Sequence, residues 1–241
     1  MKKCNKPYLF LVLSFLVNLP TLAQIDRVYL FPGQGSDYRI FDSLQIGSEI
    51  EKKIVNYPIP ERNEQLKDYA NRLINQIDTT SSYAFIGVSL GGMLAVELNN
   101  SLTPKTTILV SSVKARNELP KPLKSLKHFP INKGIPAICY KWGSFIAQPI
   151  FEPDRKKNKA TFKAMLKAKD PKFLKRATYM ISNWENTQIS DNIFHIHGTD
   201  DNTLPLKHIN ADVIIESGSH MMMLTRGNEI SEIIQMHLNS L

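Results

Sequence analysis

The chain has 241 residues, 42% of them hydrophobic, with 30 Lys/Arg against 22 Asp/Glu and a formal net charge of +8. That length and apolar content suit a single α/β domain with a full core. Two cysteines, Cys4 and Cys139, exclude a disulfide framework once the first is removed with the amino-terminal segment, and no basic stretch interleaved with aromatics marks a nucleic-acid partner.

The first two dozen residues, "MKKCNKPYLFLVLSFLVNLPTLAQ", hold three lysines, no acid, an apolar run from Tyr8 to Leu19, and then Thr21-Leu22-Ala23. A charged start, an apolar middle and a small-residue end make a secretory signal. Residues 1–24 are therefore expected to be removed, after Ala23 or Gln24, from a chain exported to the periplasm or beyond. Left uncleaved, the same segment would tether the chain to a membrane, although about twelve apolar residues fall short of the roughly 20 that a span needs. Cys4 precedes the apolar run, where a lipid-attachment cysteine would follow it. Cys139, in "GIPAICYKW", has apolar neighbours and is expected in the core.

Beyond the signal, strand-like and helix-like runs alternate. "RVYLF" (27–31) is short, β-prone and stops at Pro32-Gly33; "IEKKIVNYP" (50–58) is a weaker strand. Residues 63–78 place Leu66, Tyr69, Ala70, Leu73, Ile74 and Ile77 on one helical face, with Asn63 as the cap. "YAFIGV" (83–88) is a continuous apolar strand, residues 90–101 a helix, and "TTILVSS" (106–112) another strand. "NIFHIHG" (192–198) and "ADVIIES" (211–217) follow, with a last helix from Asn228. Near-continuous apolar strands separated by helices imply a buried parallel sheet of about six strands, an α/β fold.

Residues 113–185 interrupt this alternation with proline-punctuated amphipathic helices, read as a helical cap inserted between two strands. Charge follows the same division. Residues 113–180 carry 17 Lys/Arg and 4 Asp/Glu, whereas the rest of the exported chain carries 10 and 18. The basic segment is either a solvated lysine-rich surface or one that attracts anionic lipid headgroups or acidic substrates. Trp184 is expected to close the cap against the body. Trp142 and Phe145 are read as cap packing or as pocket lining, and Met221-Met222-Met223 as packing beneath the loop that carries His220 or as the lining of an acyl pocket.

Gly87-Val88-Ser89-Leu90-Gly91 is a G-x-S-x-G sequence at a strand-to-helix junction. A serine on so tight a turn stands with Oγ above the sheet edge, and the following helix aims its amino-terminal dipole at the same point. A neutral hydroxyl becomes a nucleophile only beside a base, and the base needs an orienting acid. "HIHGTDDNTLP" puts Asp201 just past one strand and "VIIESGSH" puts His220 just past the next. Loops that leave parallel strands at their carboxyl ends meet on one edge, so Ser89, Asp201 and His220 converge. An attacked carbonyl also needs two N–H donors. Leu90, directly after the serine, offers one, and Gln34 in "FPGQGSD" the other.

These stretches resemble the α/β-hydrolase superfamily. "GVSLGG" is similar to its nucleophile elbow, "HGTDDNTLP" to its H-G-x-x-D-x-x-[VL]-P acid segment, and "SGSH" to its histidine turn. "PGQGSD" stands where an H-G-x oxyanion loop is usual, with Pro32 in place of histidine. The resemblance covers most of residues 27–112 and 190–240 and lacks the family's two opening strands. It implies an α/β-hydrolase fold with a cap after the strand at 106–112, and Ser89 as nucleophile, Asp201 as acid and His220 as base.

The expected activity is cleavage of a carboxylic ester on a small-molecule acyl substrate through an acyl-enzyme. The same residues would serve thioester or amide cleavage or acyl transfer, and a ligand-binding protein without turnover is the non-enzymatic alternative. Asp200 competes with Asp201, but the spacing to Leu204-Pro205 favours Asp201. His195 and His197 share one face of a strand, yet further ligands at metal-site spacing are missing. His195 is read as a core residue and His197 as support for the loop after its strand. No metal and no cofactor is expected.

Overall fold

A computed structural model describes residues 25–128, 134–151 and 158–241, without the side chains of Phe145 and residues 147–151. The expected signal, residues 1–24, lies outside the described residues, and the reading of Phe145 as cap packing or pocket lining rests on a side chain that is not described.

The apolar runs become six strands: β1 Arg27–Phe31, β2 Glu51–Ile54, β3 Tyr83–Val88, β4 Thr107–Val110, β5 Ile193–Gly198 and β6 Val213–Ile215. They form one sheet in the order β2-β1-β3-β4-β5-β6, and every neighbouring pair is parallel. Parallel neighbours need crossovers, and crossover helices cover both faces, which is why β3 is buried at all six positions.

Side chains alternate between two apolar clusters, one on each face. Tyr29, Phe31, Phe85 and Leu109 join the first, with α1 Leu66–Leu73, α2 Leu90–Asn99 and α6 Pro171–Ser182. Val28, Leu30, Ile86, Ile108 and Val110 join the second, with a short turn at Tyr38–Phe41, α7 Met222–Thr225 and α8 Gly227–Asn239. Each large side chain fully withdrawn from water in these layers contributes about 1.5–3 kcal/mol. Met222 and Met223 are among them, as the packing reading of that run expects.

The first helix starts later than its apolar spacing suggests. It begins at Leu66, with Gln65 as a cap residue whose side chain makes no capping bond, and Asn63 adopts a left-handed φ of 64° outside it. α2 is buried at every position, including Glu97 and Asn99, because it lies between the sheet, α1 and Trp184.

Between β4 and β5 the chain forms α3 Lys121–Ser125, α4 Ala137–Phe151, α5 Lys159–Ala168 and α6. Asp170 starts α6: its Oδ1 accepts from Lys172 N at 2.6 Å and Phe173 N at 3.4 Å, and Pro171 occupies the first helical position. α6 then buries Phe173, Leu174, Ala177, Met180 and Ile181 against the first cluster. Trp184, just beyond it, is buried and donates from Nε1 to Glu97 Oε1 at 2.6 Å. The insertion is thereby fastened to α2, as the reading of Trp184 expects.

Cys139 departs from expectation. It is exposed on α4, beside the exposed Ile138 and Trp142, not in the core. No helix among the described residues is long and apolar enough to cross a membrane.

Candidate active site

β3 ends at Val88 and α2 starts at Leu90, so Ser89 carries the whole change of direction. Its φ of 53° and ψ of −121° lie where a residue with a Cβ rarely sits, a conformation held only by its surroundings. Gly91 is part of that hold. A Cβ on it would stand 2.0 Å from Phe31 O and 2.6 Å from Pro32 O, so only glycine lets α2 rest on the end of β1. Ser112, two residues past β4, donates from Oγ to Ser89 O at 2.7 Å and braces the turn from the other side.

The acid and histidine loops are held together by a second close approach. A Cβ on Gly198, at the end of β5, would stand 2.1 Å from Gly218 O. That contact lets Asp200 N donate to Gly218 O at 2.9 Å and brings the loop after β5 against the loop after β6.

Ser89, Asp201 and His220 meet. His220 Nε2 lies 3.0 Å from Ser89 Oγ, and His220 Nδ1 lies 2.8 Å from Asp201 Oδ2. With Asp201 ionised, Nδ1 holds the ring proton and Nε2 presents its lone pair to the serine hydroxyl. Asp201 is buried, and its other oxygen accepts from Thr203 N at 2.9 Å and Leu204 N at 2.7 Å. Burial by itself would push this carboxyl up. The His220 imidazole, the nearby His197 and the Leu204 N–H outweigh burial and hold it below the ordinary carboxylate value. Asp200 is exposed, and among the described residues its carboxylate accepts from Thr199 Oγ1 at 3.2 Å and not from His220.

The loop after β1 abuts the elbow: a Cβ on Gly33 would stand 3.4 Å from Ser89 Cβ and from Val88 O. The Gly33 N–H is taken up by Ser36 Oγ at 2.9 Å, which leaves the Gln34 N–H as the next donor along the loop. The Gln34 side chain turns to the cap and donates from Nε2 to Leu174 O and Thr178 Oγ1, each at 2.8 Å. Leu90 is the first residue of α2, so its N–H has no carbonyl partner within the helix.

Several supporting residues escape the sequence reading. Ser36 folds the loop after β1 on itself and is buried. Tyr57, past β2, donates its hydroxyl to Pro32 O at 3.1 Å and stacks on Phe173, with ring centroids 6.0 Å apart. Burial pushes the Tyr57 phenol up, so it remains a donor. Lys169 Nζ sits 4.8 Å from the Phe173 ring centroid, and burial lowers its ammonium to about 8 against the opposing pull of Asp37. Tyr57 acts across loops far apart in the chain, which no local pattern marks.

His197 supports the acid loop, as its reading anticipates. Its Nε2 donates to Leu204 O at 2.7 Å and lies 3.4 Å from Asp201 Oδ2. A carbonyl partner makes Nε2 the donor, so Nδ1 accepts from His195 Nε2 at 3.2 Å. His195 Nδ1 is then a bare acceptor, without a hydrogen-bond partner among the described residues. Burial holds both rings below the ordinary imidazole value. Among the described residues no group of three or more His, Cys, Asp or Glu side chains is arranged to hold a metal ion.

No protein-family model matches the chain, and no curated protein does. Solved structures do align with it. A lipase-esterase related protein from Clostridium acetobutylicum aligns over 87% of this chain and 93% of its own, at 14% identity and a TM-score of 0.64. A thermophilic esterase from Thermogutta terrifontis aligns over 90% and 91%, at 14% identity and 0.64. YbtT, a type II thioesterase from the yersiniabactin pathway, aligns over 91% and 95%, at 15% identity and 0.57. Such identities establish likeness of fold. The six-stranded parallel sheet flanked by helices is the α/β-hydrolase fold.

Proposed function

We propose that the chain is an exported serine hydrolase that cleaves a carboxylic ester of a small-molecule acyl substrate. The observation that carries this reading is the line from Ser89 Oγ through His220 to Asp201, with contacts of 3.0 and 2.8 Å, set on a left-handed turn at the head of α2. Ser89 Oγ attacks the acyl carbonyl while His220 Nε2 takes its proton. Asp201 holds the imidazolium that forms. The N–H groups of Leu90 and Gln34 hold the oxyanion. His220 then returns the proton to the departing alkoxide. Water, deprotonated by the same ring, releases the acid from the acyl-enzyme.

A fluorophosphonate probe tests the nucleophile. Labelling of the folded wild type that disappears in Ser89→Ala supports the reading; an unlabelled wild type leaves the ligand-binding alternative. A series of p-nitrophenyl esters, short to long, then defines the acyl group. Likeness to a thioesterase supports a second reading, thioester cleavage or acyl transfer by the same residues. Comparing turnover of an acyl thioester with that of its oxygen ester separates the two. Export rests on residues 1–24. A mature chain that starts at Gln24 or Ile25 supports it, and an intact cytoplasmic chain removes it.

A further inference from the structure

α4 carries three large apolar residues on its outer side. Ile138 is 48% exposed, Trp142 63% and Ile146 72%, and Ile135, just before the helix, 46%. At 100° per residue, Ile138, Trp142, Ile146 and Cys139 fall within an arc of about 100°. An apolar stripe of that width ordinarily faces a core. Here the opposite side does so: α4 packs on α6 and α5, Tyr140 lies against the first apolar cluster, and Lys141 Nζ donates to Lys167 O and Lys169 O at 2.7 and 2.8 Å.

The segment that carries the stripe is cationic in sequence. Residues 134–151 contain no Asp or Glu, and residues 113–180 carry 17 Lys/Arg against 4 Asp/Glu. Lys167 and Lys172 are exposed, and Lys175 reaches the start of α4 by donating to Ile135 O at 2.6 Å. A second copy docked cap to cap would set like charge against like. An apolar stripe with a central tryptophan, on a lysine-rich segment without acids of its own, matches one chemistry better: hydrocarbon beneath anionic headgroups.

We infer that α4 is a docking face for an anionic bilayer, with Ile138, Trp142 and Ile146 entering the headgroup–acyl boundary and the lysines of the cap pairing with lipid phosphates. Docking of this kind is independent of the chemistry at Ser89 and would hold the cap, and the loops beneath it, at the lipid surface.

The chain reports on its own docking, because its two tryptophans differ: Trp142 is exposed, whereas Trp184 is buried on Glu97. The full chain is bound to vesicles of phosphatidylcholine and phosphatidylglycerol whose acyl chains are brominated, and tryptophan emission is read. Quenching of Trp142 with a blue shift is expected, and Trp142→Phe should leave only the unquenched Trp184. High salt or pure phosphatidylcholine should weaken the quenching. Ile138→Ser and Ile146→Ser should each reduce partitioning of the face about tenfold, the effect of withdrawing one isoleucine from water. Because both sites are exposed, thermal stability and ester turnover in solution should not change, which separates lost docking from lost folding.

Vesicle-bound protein with Trp142 unquenched overturns the inference, as does quenching indifferent to Ile138→Ser and Ile146→Ser. Equal quenching on neutral vesicles overturns the anionic requirement. Failure to bind vesicles, with self-association in solution that the same substitutions abolish, overturns it in favour of an interface between copies.

Discussion

His197 stands 3.4 Å from Asp201, at the same carboxylate oxygen that holds His220. The ring is anchored by Leu204 O, whose own N–H is bonded to the other Asp201 oxygen. His197 thus closes a small circuit around the carboxylate and is a positioning residue for it. His197→Phe should lower kcat/KM for an ester by about 10- to 100-fold, the effect of a misplaced catalytic group. His197→Gln, which keeps an N–H for Leu204 O, should recover part of the loss. Fluorophosphonate labelling rates of the two variants check this, and equal rates in both would leave His197 no more than core packing.

The same histidines make acid stability predictable. His195 and His197 are held below the ordinary imidazole value by burial, with Lys114 adding to the effect on His195 and Asp201 opposing it on His197. As pH falls through about 6.5 the unfolded chain takes up protons on both rings before the folded chain does. The unfolded state then binds more protons, so stability falls with falling pH by up to about 1.4 kcal/mol per pH unit and ring. Asp201, also held low, adds its loss only further down, as pH falls through the carboxylate range. Urea midpoints between pH 7.5 and 5 should therefore drop in the wild type. In His195→Gln, which donates to His197 yet takes no proton, the drop should be shallower.

The strands and the elbow were legible because their signals are local. A continuous apolar run such as "YAFIGV", stopped by a glycine-flanked serine, marks a strand and the turn after it within a few residues. Asp201 and His220 were legible for the same reason, each a few residues past such a run. The spacing to Leu204 also separated Asp201 from Asp200: the Leu204 N–H is what binds the Asp201 carboxylate. Features that depend on distant partners were not legible. Apolar neighbours suggested burial for Cys139, but burial needs a covering element, and α4 turns that side outward. The cap assigned to Asn63 failed because good spacing marks a helical face, not the residue at which the backbone enters it. Tyr57 reaches Pro32 across 25 positions, and no periodicity encodes such a contact.

Gly91 makes a sharper test of the elbow than the serine itself. An alanine there would drive Cβ into Phe31 O and Pro32 O, both backbone atoms of the strand and loop that also carry Gln34. Neither can move without separating α2 from β1. Gly91→Ala should cost about 1–3 kcal/mol in unfolding free energy, as overpacking does. It should also lower ester turnover by about 100-fold, because the Leu90 and Gln34 N–H groups would part. Gly35→Ala is the control: its Cβ would meet nothing nearer than Leu166 at 4.0 Å. Both readings should stay at wild-type level in that variant, and a loss as large as that of Gly91→Ala would count against the close-approach account.

Trp184 and Glu97 test how the insertion is fastened. The indole N–H is bonded to a carboxylate buried on α2, and burial pushes that carboxyl above its ordinary value despite the bond. Removing the donor while keeping an aromatic ring, in Trp184→Phe, leaves Glu97 buried without this partner. The expected loss is about 1–3 kcal/mol of stability, the cost of an unsatisfied buried polar group. Adding Glu97→Gln should return part of it, since a neutral amide is less costly to bury than a carboxylate. A double-mutant cycle by chemical denaturation measures the coupling. Additive losses from the two substitutions would mean that Trp184 stabilises the junction by packing alone.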